Sequence, residues 1–176
     1  MDTSLILFSG LPGTGKTTLA HLVARKFHIP IFAKDRIERF LRDSSLTDGK
    51  SIYSYYLLFD LADQQLELGT SVILDAVFPK AGFRQVAREI AVKHHARFLA
   101  VYTYYSDERT FRQRMENRVQ YVPGWVPVGW DEAQHVKSGY EPWSPEDALF
   151  IDAINPLQEN VDKLFEYIQD QGRTTP

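Results

Sequence analysis

No cysteine occurs among the 176 residues, so neither a disulfide nor a thiolate metal site can hold this chain together. That fits a reducing compartment, and a cytoplasmic protein is expected. Long hydrophobic runs are missing as well. The apolar stretch Leu5–Phe8 is too short for a signal peptide and lacks a basic start, and nothing is long enough to span a membrane. Basic charge is not in excess: 20 Lys and Arg face 23 Asp and Glu, for a net charge of −3. Bulk charge therefore does not favour a polynucleotide partner, although a local basic groove stays open. The five histidines show no zinc spacing, and His94-His95 reads as a helix end. Internal repeats and low-complexity segments are absent too. What is left, at 44% hydrophobic residues, is one domain over 1–176 with a proper core.

The chemistry begins at Gly10-Leu11-Pro12-Gly13-Thr14-Gly15-Lys16-Thr17, followed by Thr18. This fits G-x-x-x-x-G-K-[ST], the phosphate-binding loop. Glycines let the backbone turn several N–H groups toward an anion, where a side chain would block the approach. The helix that follows offers its unpaired N–H groups and positive dipole end to the same anion. Lys16 adds a mobile charge for the β- and γ-phosphates, and Thr17 a hydroxyl for Mg²⁺. An apolar strand before the loop and a helix after it supply the context the motif needs.

Apolar runs alternate with helical patterns along the rest of the chain, the signature of an α/β fold with a parallel sheet. Strands are predicted at Ser4–Ser9, Pro30–Ala33, Ser71–Asp75, Arg97–Tyr104 and Ala148–Asp152. Helices are predicted at Lys16–Phe27, Arg36–Arg42, Ile52–Leu68, Lys80–His94, Asp107–Arg118 and Pro156–Gln169. Tyr121–Pro145 carries all three tryptophans and a cluster of prolines. Five parallel strands need right-handed crossovers, and ligands of such sheets sit at the strands' carboxyl ends. Polar residues gather there: the phosphate loop, Lys34-Asp35, Asp75 and Ser106-Asp107.

Asp75 closes the apolar run "VILD", where a second acid binds Mg²⁺ directly or through water; the alternative is a strand-end cap. Asp35 opens a helix after the second strand. It reads either as the N-cap of that helix or as a general base for an acceptor hydroxyl. Arg114 and Arg118, at i and i+4, share one helix face. They suit charge on a transferring phosphoryl group or a stack on adenine, or else a solvated basic face. Arg84 and Arg88 form a second such pair, aimed at the acceptor or lying as a surface stripe. Tyr53, Tyr55, Tyr56 and Phe59 are core aromatics or walls of an acceptor pocket.

In their order and spacing, "GLPGTGKTT", "KDRI", "VILDA" followed by Arg84 and Arg88, "RQRMENR" and "FIDAINP" resemble the small phosphate-loop kinases. The pattern is most similar to that shared by bacteriophage-type polynucleotide kinase, chloramphenicol phosphotransferase and zeta toxin, and it covers essentially the whole chain. The resemblance implies a three-layer fold with a five-stranded sheet of order 2-3-1-4-5, helices on both faces and a lid, with lid and substrate segment at about 107–147. It implies ATP and Mg²⁺ as cofactors, Asp35 as the acceptor-side base with Arg36 close by, and lid arginines matching Arg114 and Arg118. It also implies that the loop at Asp152–Pro156, with Asn155, lies near the adenine. One departure stands out: the third-strand acid runs into Ala76-Val77-Phe78, where the group commonly has a nearby threonine or asparagine. Val77 and Phe78 are therefore expected to line an apolar acceptor pocket.

Substrate class turns on Val119–Asp147. Lys137 is its only cation, against five acids, Asp131, Glu132, Glu141, Glu146 and Asp147. A nucleic-acid groove needs clustered Lys and Arg beside its aromatic platforms; Trp125, Trp130 and Trp143 are present, the charge is not. The expectation is a kinase for a small hydroxylated acceptor, with Lys16, Asp35, Arg114 and Arg118 as its catalytic groups and Asp35, Arg36 and Arg84 contacting the acceptor. A 5′-hydroxyl polynucleotide kinase and a nucleotide-binding switch or ATPase acting through a partner are the alternatives.

Overall fold

The computed structural model describes residues 3–44, 52–117 and 128–170. Five strands form one parallel sheet: β1 (Ser4–Gly10), β2 (Ile31–Ala33), β3 (Val72–Asp75), β4 (Arg97–Tyr104) and β5 (Leu149–Asp152), in the order β2-β3-β1-β4-β5. The helices are α1 (Lys16–Phe27), α2 (Lys34–Asp43), α3 (Ile52–Glu67), α4 (Ala81–Lys93), α5 (Glu108–Glu116), α6 (Trp130–Ser138) and α7 (Leu157–Asp170). The expected α/β architecture and strand order are both present. No helix among the described residues is long and apolar enough to cross a membrane.

Successive residues of a strand point to opposite faces of the sheet, and β1, buried along its whole length, feeds two cores. Leu5 and Leu7 pack with Leu58, Ala62 and Leu66 of α3 and Ala87 and Ala91 of α4. Ile6 and Phe8 pack with Leu19 and Val23 of α1 and Val161 and Leu164 of α7. An unbroken apolar run is what a central parallel strand covered on both faces requires. A third, smaller cluster, Phe111, Met115 and Ala133, joins α5 to α6, with Leu11 of the phosphate loop packed against it.

Predicted boundaries and observed elements agree within two residues for nearly every element, and α2 starts two residues early, at Lys34. Helix α6 is the exception, since it lies in the Pro- and Trp-rich stretch for which no element was predicted. Ala133 is its only fully buried residue, so it carries almost no apolar periodicity.

Candidate active site

The phosphate loop leaves β1 at Gly10 and enters α1 at Lys16, and three glycines hold positive φ. At Gly10 (φ +136°) an added Cβ would lie 2.2 Å from the Thr103 carbonyl oxygen; at Gly13 (φ +86°), 2.2 Å from Met115 Sδ. At Gly15 (φ +88°), the N-cap of α1, it would meet nothing within 4 Å. Two glycines thus admit β4 and α5, and the third faces open space at a helix N-terminus, where an anion is favoured. The Thr14 hydroxyl donates to Leu11 O at 2.8 Å and pairs with Thr103 Oγ1 at 2.6 Å. This buried side chain pins the loop to β4, a role that the motif alone does not disclose. Lys16 Nζ donates to Leu11 O at 2.8 Å, folded back across the loop.

Thr17 Oγ1 donates to Asp75 Oδ2 at 2.7 Å. Asp75 is only 4% exposed, and burial pushes its carboxyl above the usual range. Lys16 and the Thr17 hydrogen bond pull it down, and the charge of Asp35 pushes it up. Hard oxygens from one hydroxyl and one carboxylate suit Mg²⁺, which takes few protein ligands and completes its shell with phosphates and water. The described residues contain no group of three acidic, His or Cys side chains that could hold a metal alone. Thr17 and Asp75 therefore fit a cation shared with a nucleotide.

Ala33, the last residue of β2, is paired in register with Asp75, so α2 starts beside the acid of β3. Ala33 is the N-cap of α2; Asp35 is the second residue of the helix, exposed like Arg36. Asp35 is thus not the N-cap itself, but as an acid in the first turn of α2 it still meets the positive end of the helix dipole. Lys34 pairs with Glu38 and stands 5.5 Å over the Tyr55 ring, a brace under α2 that sequence reasoning missed.

Arg114 is exposed and donates through Nε to Gly13 O at 3.3 Å. With Gly15, Thr18, Tyr105, Ala153 and Asn155 it lines a cavity of about 250 Å³. Leu11, Pro12 and Gly13 form the arm of the loop beside α5, with Leu11 packed against the α5–α6 cluster. Asp152 fixes the turn before Asn155 by accepting from Ser106 N and Ile154 N, each at 3.2 Å. Arg118 and Trp125 lie outside the described residues.

The second arginine pair faces elsewhere. Arg84 is 6% exposed; its guanidinium donates to the carbonyls of Glu141 and Pro142 and lies 4.6 Å over Trp143. Arg88 pairs with Asp147 at 3.0 Å. Both fasten the segment after α6 to α4. Phe78 does not line an apolar acceptor pocket: it is 0% exposed, inside the core with Tyr55 and Phe59. Of the helix α3 aromatics, Tyr55 and Phe59 are core, whereas Tyr53 and Tyr56 are exposed. Trp143 is buried, its indole N–H on Ser9 Oγ at 3.1 Å, and so is no platform for a base.

Among solved structures the fold is similar to a sugar kinase from Janibacter sp. (TM-score 0.73, 19% identity, covering 95% of each chain). It is similar to a gluconokinase from Sinorhizobium meliloti (TM-score 0.71, 18% identity, 96% of this chain and 93% of that one). It also resembles the Mycobacterium tuberculosis APS kinase CysC in complex with AMPPNP and APS (TM-score 0.66, 18% identity, 96% and 98%). Uncharacterized proteins of Mycobacterium tuberculosis and Mycobacterium bovis are 33% identical over 105 residues, covering 52% of this chain and 21% of theirs. The chain thus spans about a fifth of the length of the curated relatives it matches. A family described as AAA domain matches residues 5–134, most of the phosphate-loop fold described above, and the chain belongs to that family.

Proposed function

We propose that this chain is an ATP-dependent kinase that transfers the γ-phosphoryl group to a hydroxyl of a small molecule, with Asp35 as general base. The observation that carries this reading is the β2–β3 register, which sets the start of α2, and with it Asp35, beside the Thr17–Asp75 pair. A carboxylate beside a phosphate site is the group a hydroxyl acceptor needs and a simple nucleotide switch does not.

In this reading the nucleotide phosphates lie over Gly15 and the N-terminus of α1. The base contacts the Arg114–Asn155 cavity. Thr17 and Asp75 would hold Mg²⁺, which would supply charge neutralisation at the nucleotide phosphates. Asp35 accepts the proton of the acceptor hydroxyl as its oxygen bonds to the γ-phosphorus and the bond to the β-phosphate oxygen breaks, releasing ADP. Lys16 and Arg114 stabilise the charge that builds on the phosphoryl oxygens. Arg36, exposed one residue beyond Asp35, orients the acceptor. The described segment 128–147 is acidic and Trp143 is buried within it, which favours a small acceptor over a nucleic-acid strand. The sugar kinase and gluconokinase of like fold are named for small hydroxylated substrates.

The test is transfer of labelled γ-phosphate onto a panel of sugars, nucleosides, aminoglycosides, amphenicols and 5′-hydroxyl oligonucleotides. One small molecule should be labelled, and Asp35→Asn should lower that transfer by about 10²–10⁴-fold with ATP affinity unchanged. Labelling of the oligonucleotide would replace the small-molecule reading with the polynucleotide one. Full transfer by Asp35→Asn would remove the proposed base.

A further inference from the structure

The loop between β3 and α4 connects the proposed metal acid to the acceptor side, and its backbone is held at every step. Ala76 N donates to Phe8 O at 3.3 Å. Val77 O accepts from Gly10 N at 3.3 Å and from Ser9 Oγ at 3.0 Å. Phe78 N donates to Tyr55 Oη at 3.1 Å, and Pro79 O accepts from Glu141 N at 2.8 Å. Phe78 has φ +48°, a left-handed conformation that a bulky residue keeps only when its surroundings over-determine it.

Ser9 is the node of this arrangement, immediately before the phosphate loop and 0% exposed. Its hydroxyl has one proton and two acceptor sites. The proton goes to Val77 O. Trp143 Nε1, which can only donate, takes one acceptor site at 3.1 Å. The contact between Ser9 Oγ and Tyr140 Oη, at 2.6 Å, then has Tyr140 as its donor. Burial pushes the Tyr140 phenol up to about 12, so it keeps that proton at neutral pH.

Tyr140 and Trp143 belong to the strap 139–143, which continues directly from α6. Its other anchors lie on α4: Ala81 N donates to Glu141 Oε2 at 2.6 Å, and the Arg84 guanidinium holds the Glu141 and Pro142 carbonyls. Helix α6 packs on α5, and α5 carries Arg114, which reaches Gly13 O. The strap thus connects the lid helices to the seam between the phosphate loop and the chain beyond Asp75.

We propose that Tyr140 is a positioning residue: its hydroxyl, donated to Ser9, fixes the spacing between the phosphate loop and the loop after Asp75, and thereby the Thr17–Asp75 geometry that receives Mg²⁺. This rests on the kinase reading of the same site. Tyr140 touches neither nucleotide nor acceptor and acts through Ser9.

The test compares ADP affinity with Mg²⁺ and with EDTA, by calorimetric titration, for the wild type and Tyr140→Phe. The variant keeps its ring, and its melting temperature should stay near that of the wild type. Its Mg²⁺-free ADP affinity should hold within about twofold, while the affinity gained from Mg²⁺ falls about tenfold, the usual cost of losing a group behind a metal ligand. Ser9→Ala should show the same selective loss, and the double variant should be no worse than either single one. Ser9→Ala alone carries the test if Tyr140→Phe does not fold. A wild-type-sized gain from Mg²⁺ in Tyr140→Phe, or equal weakening with and without the cation, overturns the proposal and leaves the kinase reading standing. A wild type that gains nothing from Mg²⁺ sinks that reading and this inference together.

Discussion

Replacing Asp75 by asparagine separates what the site costs the fold from what it does for a metal. The side chain is 4% exposed and accepts from Thr17 at 2.7 Å; asparagine keeps the shape and an acceptor oxygen. The direction of the pKa shift gives the sign. Desolvation outweighs the attraction of Lys16 and the Thr17 hydrogen bond, so the carboxyl is raised above its ordinary 3.8. An acid raised on folding binds its proton more tightly in the native state. Its contribution therefore becomes destabilising as pH climbs from 3.8 through the raised value. That balance already includes Lys16, so a neutral isostere should be tolerated in the nucleotide-free protein. We expect Asp75→Asn to melt at or above the wild type at pH 7, by up to about 1 kcal/mol or ~2–4 °C for a chain of this size. The difference should shrink as pH falls through the raised value and vanish below 3.8, where the carboxyl is protonated in both the folded and unfolded chain. Mg²⁺-dependent nucleotide affinity should meanwhile fall by about 10–100-fold, the range seen when a metal's supporting groups are lost. Calorimetric melting across pH and a Mg²⁺ titration at fixed ADP measure the two halves. A variant that melts several degrees lower at pH 7, or one with an unaltered Mg²⁺ titration, would refute the reasoning.

Lys16→Ala should fold, because Leu11 O keeps the Thr14 hydroxyl, and should lower ATP turnover by about 10²–10³-fold; turnover within a few-fold of wild type would refute the loop's assigned role. Gly13→Ala forces a Cβ to 2.2 Å from Met115 Sδ at φ +86°, and should cost about 1–3 kcal/mol in a urea melt. Adding Met115→Ala should not restore nucleotide affinity, since the backbone strain remains. Asp63 accepts from Lys93 and His94 and is held below the usual carboxylate range, by Lys93 first. Its stabilising contribution is present above 3.8 and lost as pH falls through the lowered value. Because Lys93 is largely exposed, Asp63→Asn should cost under about 1 kcal/mol at pH 7, with the gap closing in acid denaturant melts.

What was legible in the sequence was what short-range pattern encodes. The phosphate loop needs glycines at fixed offsets, and β1 and β3, buried on both faces, read as unbroken apolar runs. Helix α1 is bounded by the loop before it and by His28 in a left-handed cap after it. Strand order was available only through the resemblance, since nothing local says that β1 pairs with β3 and β4 and not with β2. The contacts made at long range were hidden. Ser9 and Tyr140 are 131 residues apart, and Thr14 and Thr103 are 89 apart. The Arg84–Arg88 spacing correctly placed both residues on one helix face, but could not say what that face meets. Phe78 misled for the same reason: an apolar residue beside a polar site reads as a pocket wall until the Tyr55 and Phe59 rings are seen around it.

The two halves of the site are built differently, and this explains why one was readable and the other was not. The nucleotide half consists of backbone turns, a buried hydroxyl pair and a sheet edge, each with one conformation compatible with its neighbours. The proposed acceptor half hangs on α2, which has no fully buried residue, and on the exposed Arg36, Phe40, Tyr53 and Tyr56. Elements with few buried contacts open at low free-energy cost and suit surfaces that must close on a substrate. Until an acceptor is bound, an exposed base beside a phosphate site is also open to water. In the proposed kinase, preference for transfer over hydrolysis would therefore come from the acceptor displacing that water from beside Asp35.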